Sequence, residues 1–135
     1  MNKIFADSCY WIGLFDPADE LHARAIEARE QYREVQLVTT EEVLTEFLTR
    51  MRASDKNTRT NAVRFLGDIK ADESVQVLPQ SHESFEEGVR LFEARDDKNY
   101  SLQDCISMNA MERHDILHVL TNDHHFEQEG HVILL

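Results

Sequence analysis

Glycine and proline are scarce in this sequence, four and two among 135 residues, which argues against a disordered chain or a repeat scaffold. No internal repeat or low-complexity tract stands out. Long apolar runs are missing too: the longest is far shorter than a membrane span, and the N-terminus lacks a basic region followed by an extended apolar core. A soluble cytoplasmic protein with no membrane association is the expectation. Cysteine is limited to Cys9 and Cys105, without CxxC spacing. Two reduced, buried thiols are expected, with an intramolecular bridge as the alternative. A surplus of positive charge is absent as well. The net charge of −12 opposes non-specific binding to nucleic acid, whose affinity depends on Lys and Arg meeting phosphates.

What the chain does have is 41% hydrophobic residues over a length that suits one domain, 1–135, with a real core. Short apolar runs alternate with helical patterns. Lys3 to Ala6 reads as a first strand, and Ser8 to Phe15 as a short helix ended by the Asp16-Pro17 turn. A helix from Asp19 to about Tyr32 places Leu21, Ala25 and Ala28 on one face. Val35 to Val38 is a second strand, and Thr39-x-x-Glu42 resembles a capping box opening the next helix. The pattern Ala62, Phe65, Leu66, Ile69 predicts a helix from Asn57 to about Lys70, followed by a third strand, Val75 to Leu78. Glu83 to Arg95 is expected to be helical with Phe85, Val89 and Phe92 inward. After a polar loop, Asp96 to Tyr100, come a helix from Leu102 to about Arg113, a strand from Ile116 to Thr121 and a short strand from Val132 to Leu134. Trp11 and Phe15 are expected in the core. Strands separated by helices imply an α/β fold with a parallel sheet covered on both faces.

Four carboxylates stand where a fold usually avoids charge. Asp7 ends the apolar run Ile4-Phe5-Ala6, and Asp123 follows the run Ile116 to Leu120. Glu46 interrupts the pattern Val43, Leu44, Phe47, Leu48, Met51, and Asp104 opens an apolar helix before Cys105 and Ile106. No Lys or Arg lies within three positions of Glu46 or Asp104. Ligands of open α/β sheets bind outside the carboxyl ends of the strands, and all four acids can face that rim. Oxygen ligands favour Mg²⁺ or Mn²⁺, and such a centre can activate a water for attack on a phosphodiester. Each acid also has a structural explanation. Asp7 can cap the helix that starts at Ser8, Asp104 can close a capping box with Ser101, and Asp123 can open an Asx-type turn. Glu46 sits about 130° from the centre of its helix's apolar face and can reach solvent. Ser8 and Thr121 flank the acids and can hydrogen-bond to them.

Histidines His114, His118, His124 and His125 do not make a zinc site on this reading. His114 falls in a turn and His118 in a strand, and no Cys stands nearby. They are expected at the surface or partly buried. The basic residues are clustered: Arg50, Arg52, Lys56, Arg59 and Arg64 stand in one stretch against a single acid, Asp55. That stretch is either a solvated helix–helix connection or a phosphate-contacting edge beside an acidic metal centre.

Segments around the four acids carry a resemblance. Phe5-Ala6-Asp7-Ser8-Cys9-Tyr10-Trp11-Ile12 resembles the first strand and helix of PIN domains, as does Val38-Thr39-Thr40-Glu41-Glu42-Val43-Leu44-Thr45-Glu46 for the second strand and its helix. Asp97-Lys98-Asn99-Tyr100-Ser101-Leu102-Gln103-Asp104-Cys105-Ile106-Ser107 is the most specific segment, and Leu120-Thr121-Asn122-Asp123-His124-His125-Phe126 the last. The resemblance implies a PIN-like three-layer α/β/α sandwich with a mostly parallel sheet of four to five strands. It implies a Mg²⁺- or Mn²⁺-dependent endoribonuclease with Asp7, Glu46, Asp104 and Asp123 as catalytic metal ligands. Small members look like VapC-type toxins, so an RNA substrate, a cognate antitoxin and a homodimer are the implied partners. The alternatives are a non-catalytic PIN-fold interaction module and a phosphoacceptor domain of the receiver kind. The latter needs paired acids after the first strand and a lysine near the last, whereas Asp7 stands alone and no lysine follows Asp123.

Overall fold

The computed structural model describes all 135 residues. Five short strands form: β1 (Lys3–Ala6), β2 (Gln36–Thr40), β3 (Val75–Leu78), β4 (His118–Leu120) and β5 (Val132–Ile133). Seven helices flank them: α1 (Ser8–Phe15), α2 (His22–Gln31), α3 (Glu41–Arg50), α4 (Lys56–Ala71), α5 (His82–Ala94), α6 (Leu102–Arg113) and α7 (His125–Gln128). All strand pairings are parallel, in the order β3-β2-β1-β4-β5. This is the PIN-like α/β architecture that the sequence implied. The chain builds outward from β1 to β2 and β3, then returns to lay β4 on the other edge of β1. β1 therefore lies at the topological switch point, beside the crevice where open α/β sheets bind ligands. The receiver-like order, 2-1-3-4-5, is a different one.

β1 is central, and Ile4, Phe5 and Ala6 are completely buried. Around it the core gathers Tyr10, Phe47, Phe126, Met108 and Met111. Trp11 is in the core as expected, and Phe15 packs edge-on against Phe47 at 5.5 Å and tilted against Phe65 at 5.4 Å. No helix is long and apolar enough to cross a membrane. Cys9 and Cys105 are free thiols, and burial pushes both pKa values up.

Several local expectations shift. The cap of α3 is Thr40, whose hydroxyl accepts from the Val43 amide at 3.0 Å. Thr39 is instead fully buried, donating to the Ala6 carbonyl at 2.8 Å and accepting from the Trp11 indole at 3.3 Å. β4 starts at His118 rather than Ile116, because Asp115 takes a left-handed φ of 53° and the Ile116 amide still turns back to the Met111 carbonyl. α7 was not anticipated: four residues carry no periodic signal, and only Phe126 is buried.

The largest difference concerns α5. Phe85 and Phe92 are about half exposed and Val89 is open as well, so this stripe does not face the core. The buried face of α5 carries Gly88 and Leu91, roughly 90° further round the helix, against α6. Gly88 decides which stripe goes in. A Cβ there would lie 2.6 Å from Ile106 Cγ1, so only glycine lets the two helices approach this closely.

Gly88→Ala is expected to destabilise the fold by about 1–3 kcal/mol, because overpacking against Ile106 outweighs the gain in helix propensity. Gly67 of α4 has nothing within 4 Å of a built Cβ, so Gly67→Ala is expected to stabilise by about 0.5–1 kcal/mol. Urea melts of the two variants check these opposite signs.

Candidate metal centre

The site begins with strand register. Ala6 pairs with Leu120, so the residues leaving β1 and β4 emerge side by side. The Asp7 amide donates to the Leu120 carbonyl at 3.2 Å, which continues the ladder by one residue. Opposite, the Thr121 hydroxyl donates to Asp7 Oδ2 at 2.9 Å and accepts from the Asp123 amide at 3.1 Å. Thr121 is fully buried, and the Cys9 sulfur lies 3.2 Å from the same hydroxyl. One side chain thus fixes the spacing between the acids that end β1 and β4.

Asp7 takes the N-cap position of α1 but makes no capping bond to the amides one turn on. It is buried, 8% accessible, and no Lys or Arg pairs with it. Burial is the main reason that its pKa rises to about 7; the Ser8 amide and Thr121 hydroxyl pull it back, and the charges of Glu46 and Asp104 push it further up. The other acids are therefore near enough to be felt. Glu46 is exposed on α3, and the Ser8 hydroxyl donates to its carboxylate, which ties it to the start of α1. Asp104 does close the capping box: Ser101 Oγ accepts from the Asp104 amide, and Asp104 Oδ2 accepts from the Ser101 amide, both at 3.0 Å. Its pKa is raised, chiefly by burial, with Asp123 adding repulsion. Asp123 opens the expected Asx turn, its Oδ1 accepting from the His125 amide at 2.9 Å. The capping box of Asp104 and the turn of Asp123 are thus realised, the cap by Asp7 is not, and the bonds that form fix where the remaining carboxylate oxygens point.

His125 is the residue that the sequence reading left among surface or partly buried histidines. Its side chain is partly exposed, yet Nδ1 is a buried atom 3.0 Å from Asp123 Oδ1 and 3.5 Å from Asp104 Oδ2. Neither approach is directed as a hydrogen bond, which leaves Nδ1 without a hydrogen-bond partner. One donor atom from each of Asp104, Asp123 and His125 lies within 4.8 Å of the others, a grouping able to hold a metal ion. The buried nitrogen without a hydrogen bond and the charge on Asp7, met by no Lys or Arg, both fit a cation at this end of the sheet. Only a short His-His-Phe segment marked His125 in the sequence, and its position depends on the unanticipated α7.

A cleft of about 310 Å³ opens over three of the acids, lined by Asp7, Ser8, Glu46, Thr121 and Asp123 together with Arg50 and Arg52, while Asp104 and His125 lie outside its lining. Lys56 and Arg59 line a separate, shallower hollow on the α3–α4 connection, and Arg64 borders neither. Arg59 and Arg52 also bond to backbone carbonyls there, at 3.0 Å to Arg52 and 2.9 Å to Thr49. A more apolar cavity of about 350 Å³ between α1, α2 and α4 contains none of the four acids. On the other flank, Arg95 makes a two-pronged ion pair with Glu129 at 2.8 and 3.0 Å, and Tyr100 donates to the same carboxylate at 2.8 Å. The Tyr100 ring meets the His125 ring edge-on at 5.7 Å.

No known family profile and no curated protein sequence matches this chain. Solved structures do match its fold. The sarcin–ricin loop cleaving toxin VapC20 of Mycobacterium tuberculosis superposes with a TM-score of 0.81 at 22% identity, over 96% of both chains. FitAcB from Neisseria gonorrhoeae gives 0.67 at 12% identity, over 98% of this chain and 96% of the other. The fold is that of VapC-type PIN domains.

The electrostatics set a pH dependence. Asp7 has a folded pKa above its unfolded one, so its protonated form favours the fold: the contribution of this group is fully present below about pH 4 and is lost as pH rises through about 7. Asn cannot ionise. Without divalent cations, Asp7→Asn is expected to melt several degrees higher than the parent at about pH 8, and the advantage should vanish near pH 4. Calorimetry in a chelating buffer checks it.

Proposed function

We propose that the protein is a metal-dependent endoribonuclease that hydrolyses RNA phosphodiester bonds, acting as the toxin of a type II toxin–antitoxin pair. The observation that carries this reading is the set of four acids, none paired with Lys or Arg, gathered at the switch point of a PIN-like sheet. The likeness of the fold to VapC20, a toxin that cleaves the sarcin–ricin loop, supports RNA as substrate.

Asp7, Glu46, Asp104 and Asp123 would hold one or two Mg²⁺ or Mn²⁺ ions. Such a cation, when bound, supplies Lewis acidity that activates a water and offsets charge building on the phosphate. The chain's own side chains keep the ligands in register. Thr121 fixes Asp7, Ser8 holds Glu46, and the Ser101 box locks the rotamer of Asp104. Arg50 and Arg52 attract the phosphate backbone to the mouth of the cleft, which localises positive charge on a chain that is acidic as a whole. Lys56, Arg59 and Arg64 would extend that contact along α4. The partners are a cognate antitoxin that blocks the cleft and a second copy of the chain. The exposed Phe85, Val89 and Phe92 stripe supports a protein partner on α5.

Asp7→Asn and Asp104→Asn are each expected to reduce RNA cleavage in Mn²⁺ by about a hundredfold or more while the far-ultraviolet dichroism stays that of the parent. Unchanged cleavage in both variants would remove the catalytic assignment. Arg50→Ala and Arg52→Ala are expected to act through binding: KM should rise about three- to tenfold with little change in kcat, and each should lower the salt dependence of RNA binding by about one counterion. Steady-state kinetics and a salt titration measure both effects.

A further inference from the structure

Oxygen ligands alone do not describe this centre. We infer that His125 is a direct metal ligand through Nδ1, sharing a divalent cation with Asp104 and Asp123, and that this nitrogen makes the site prefer Mn²⁺ to Mg²⁺. The inference rests on the metal-dependent reading of the same site and specifies which cation it selects.

Three observations support it. Nδ1 is buried and lacks a hydrogen bond although two carboxylates stand beside it. A nitrogen within reach of two carboxylate oxygens but hydrogen-bonded to neither is left available to a cation that all three can share. The spacing also agrees. An ion with ligands at about 2.1 Å in octahedral array holds neighbouring ligands about 3 Å apart and opposite ones about 4.2 Å apart. The distances from Nδ1 are 3.0 Å to Asp123 and 3.5 Å to Asp104, both inside that range.

The third observation is that the imidazole is held. The Tyr100 and His125 rings meet edge-on, and Tyr100 is itself tied to Glu129, which Arg95 grips with two nitrogens. The His125 amide is fixed by Asp123 Oδ1. A ring packed against Tyr100, on a backbone held by its own amide, is pre-organised for one ligating position. Magnesium binds oxygen and keeps its waters, whereas manganese accepts imidazole nitrogen more readily. Asp7 and Glu46 provide carboxylates without a histidine, so the preference belongs to the Asp104 side of the centre.

Pulsed electron paramagnetic resonance of Mn²⁺ bound to the full chain tests the assignment without measuring cleavage. The expected result is a ¹⁴N coupling in the parent that persists in His124→Gln and disappears in His125→Gln. Titration should show Mn²⁺ affinity falling about tenfold or more in His125→Gln, with Mg²⁺ affinity changed less than about threefold. Thermal melts establish that the variant is folded, and the parent's nitrogen signal stands even if it is not. Mn²⁺ bound without nitrogen coupling in the parent, or a coupling lost in His124→Gln instead, overturns the inference. If Asp104→Asn still abolishes Mn²⁺ binding in that case, the carboxylate centre survives. Failure of the parent to bind Mn²⁺ at all removes both.

Discussion

The pairing of β1 with β4, continued past their ends by the Asp7 amide on the Leu120 carbonyl, is the contact from which the site grows. Parallel pairing at a switch point brings together residues more than a hundred positions apart. Register then decides which of them meet. A slip of one residue would turn Asp7 away from Thr121, because alternate side chains face opposite sides of a sheet. The Thr121 hydroxyl converts that register into a fixed spacing, donating to Asp7 while accepting from the Asp123 amide. The β2 end is joined to the same point through Thr39 on the Ala6 carbonyl, and α3 then carries Glu46 back toward Ser8.

Charge is the opposing term. Burying Asp7 without a cationic side chain raises its pKa to about 7, and the neighbouring acids add to the repulsion. Asp7 itself is met by a hydroxyl and an amide in place of Lys or Arg, and these orient its carboxylate without neutralising it. A structural salt bridge would be built differently. The Arg95–Glu129 pair shows the contrast within the same molecule: a two-pronged ion pair reinforced by Tyr100, with the Glu129 pKa held low chiefly by Arg95. Stability is thus supplied next to the centre and withheld within it, a division expected where ligands must remain available for a cation.

Much of this was legible in the sequence for a physical reason. Asp7 and Asp123 follow apolar runs; one such charge is a weak signal with an ordinary capping or turn explanation, and the shared rim of a parallel sheet is what singles the acids out. The α/β alternation gave the parallel sheet in the same way. The α5 stripe was misjudged because periodicity identifies an apolar face without saying whether it is covered; Gly88, small enough to admit Ile106, turned a different face inward. His125 escaped for the opposite reason. Its environment arises from α7, too short for any periodic signature, and from Tyr100, which lies 25 positions away. The cap of α3 slipped by one residue because Thr39 and Thr40 are chemically alike, and only tertiary contact with Ala6 and Trp11 assigns Thr39 to the core.

The central claim is that the four carboxylates form one cation-binding centre. Crystals of the protein soaked in Mn²⁺ and measured at a wavelength where manganese scatters anomalously would test it directly. An anomalous peak enclosed by Asp7, Glu46, Asp104 and Asp123 at the carboxyl ends of β1 and β4 is expected. Crystals that take up Mn²⁺ only at other surface acids, with that enclosure empty at saturating metal, would contradict it.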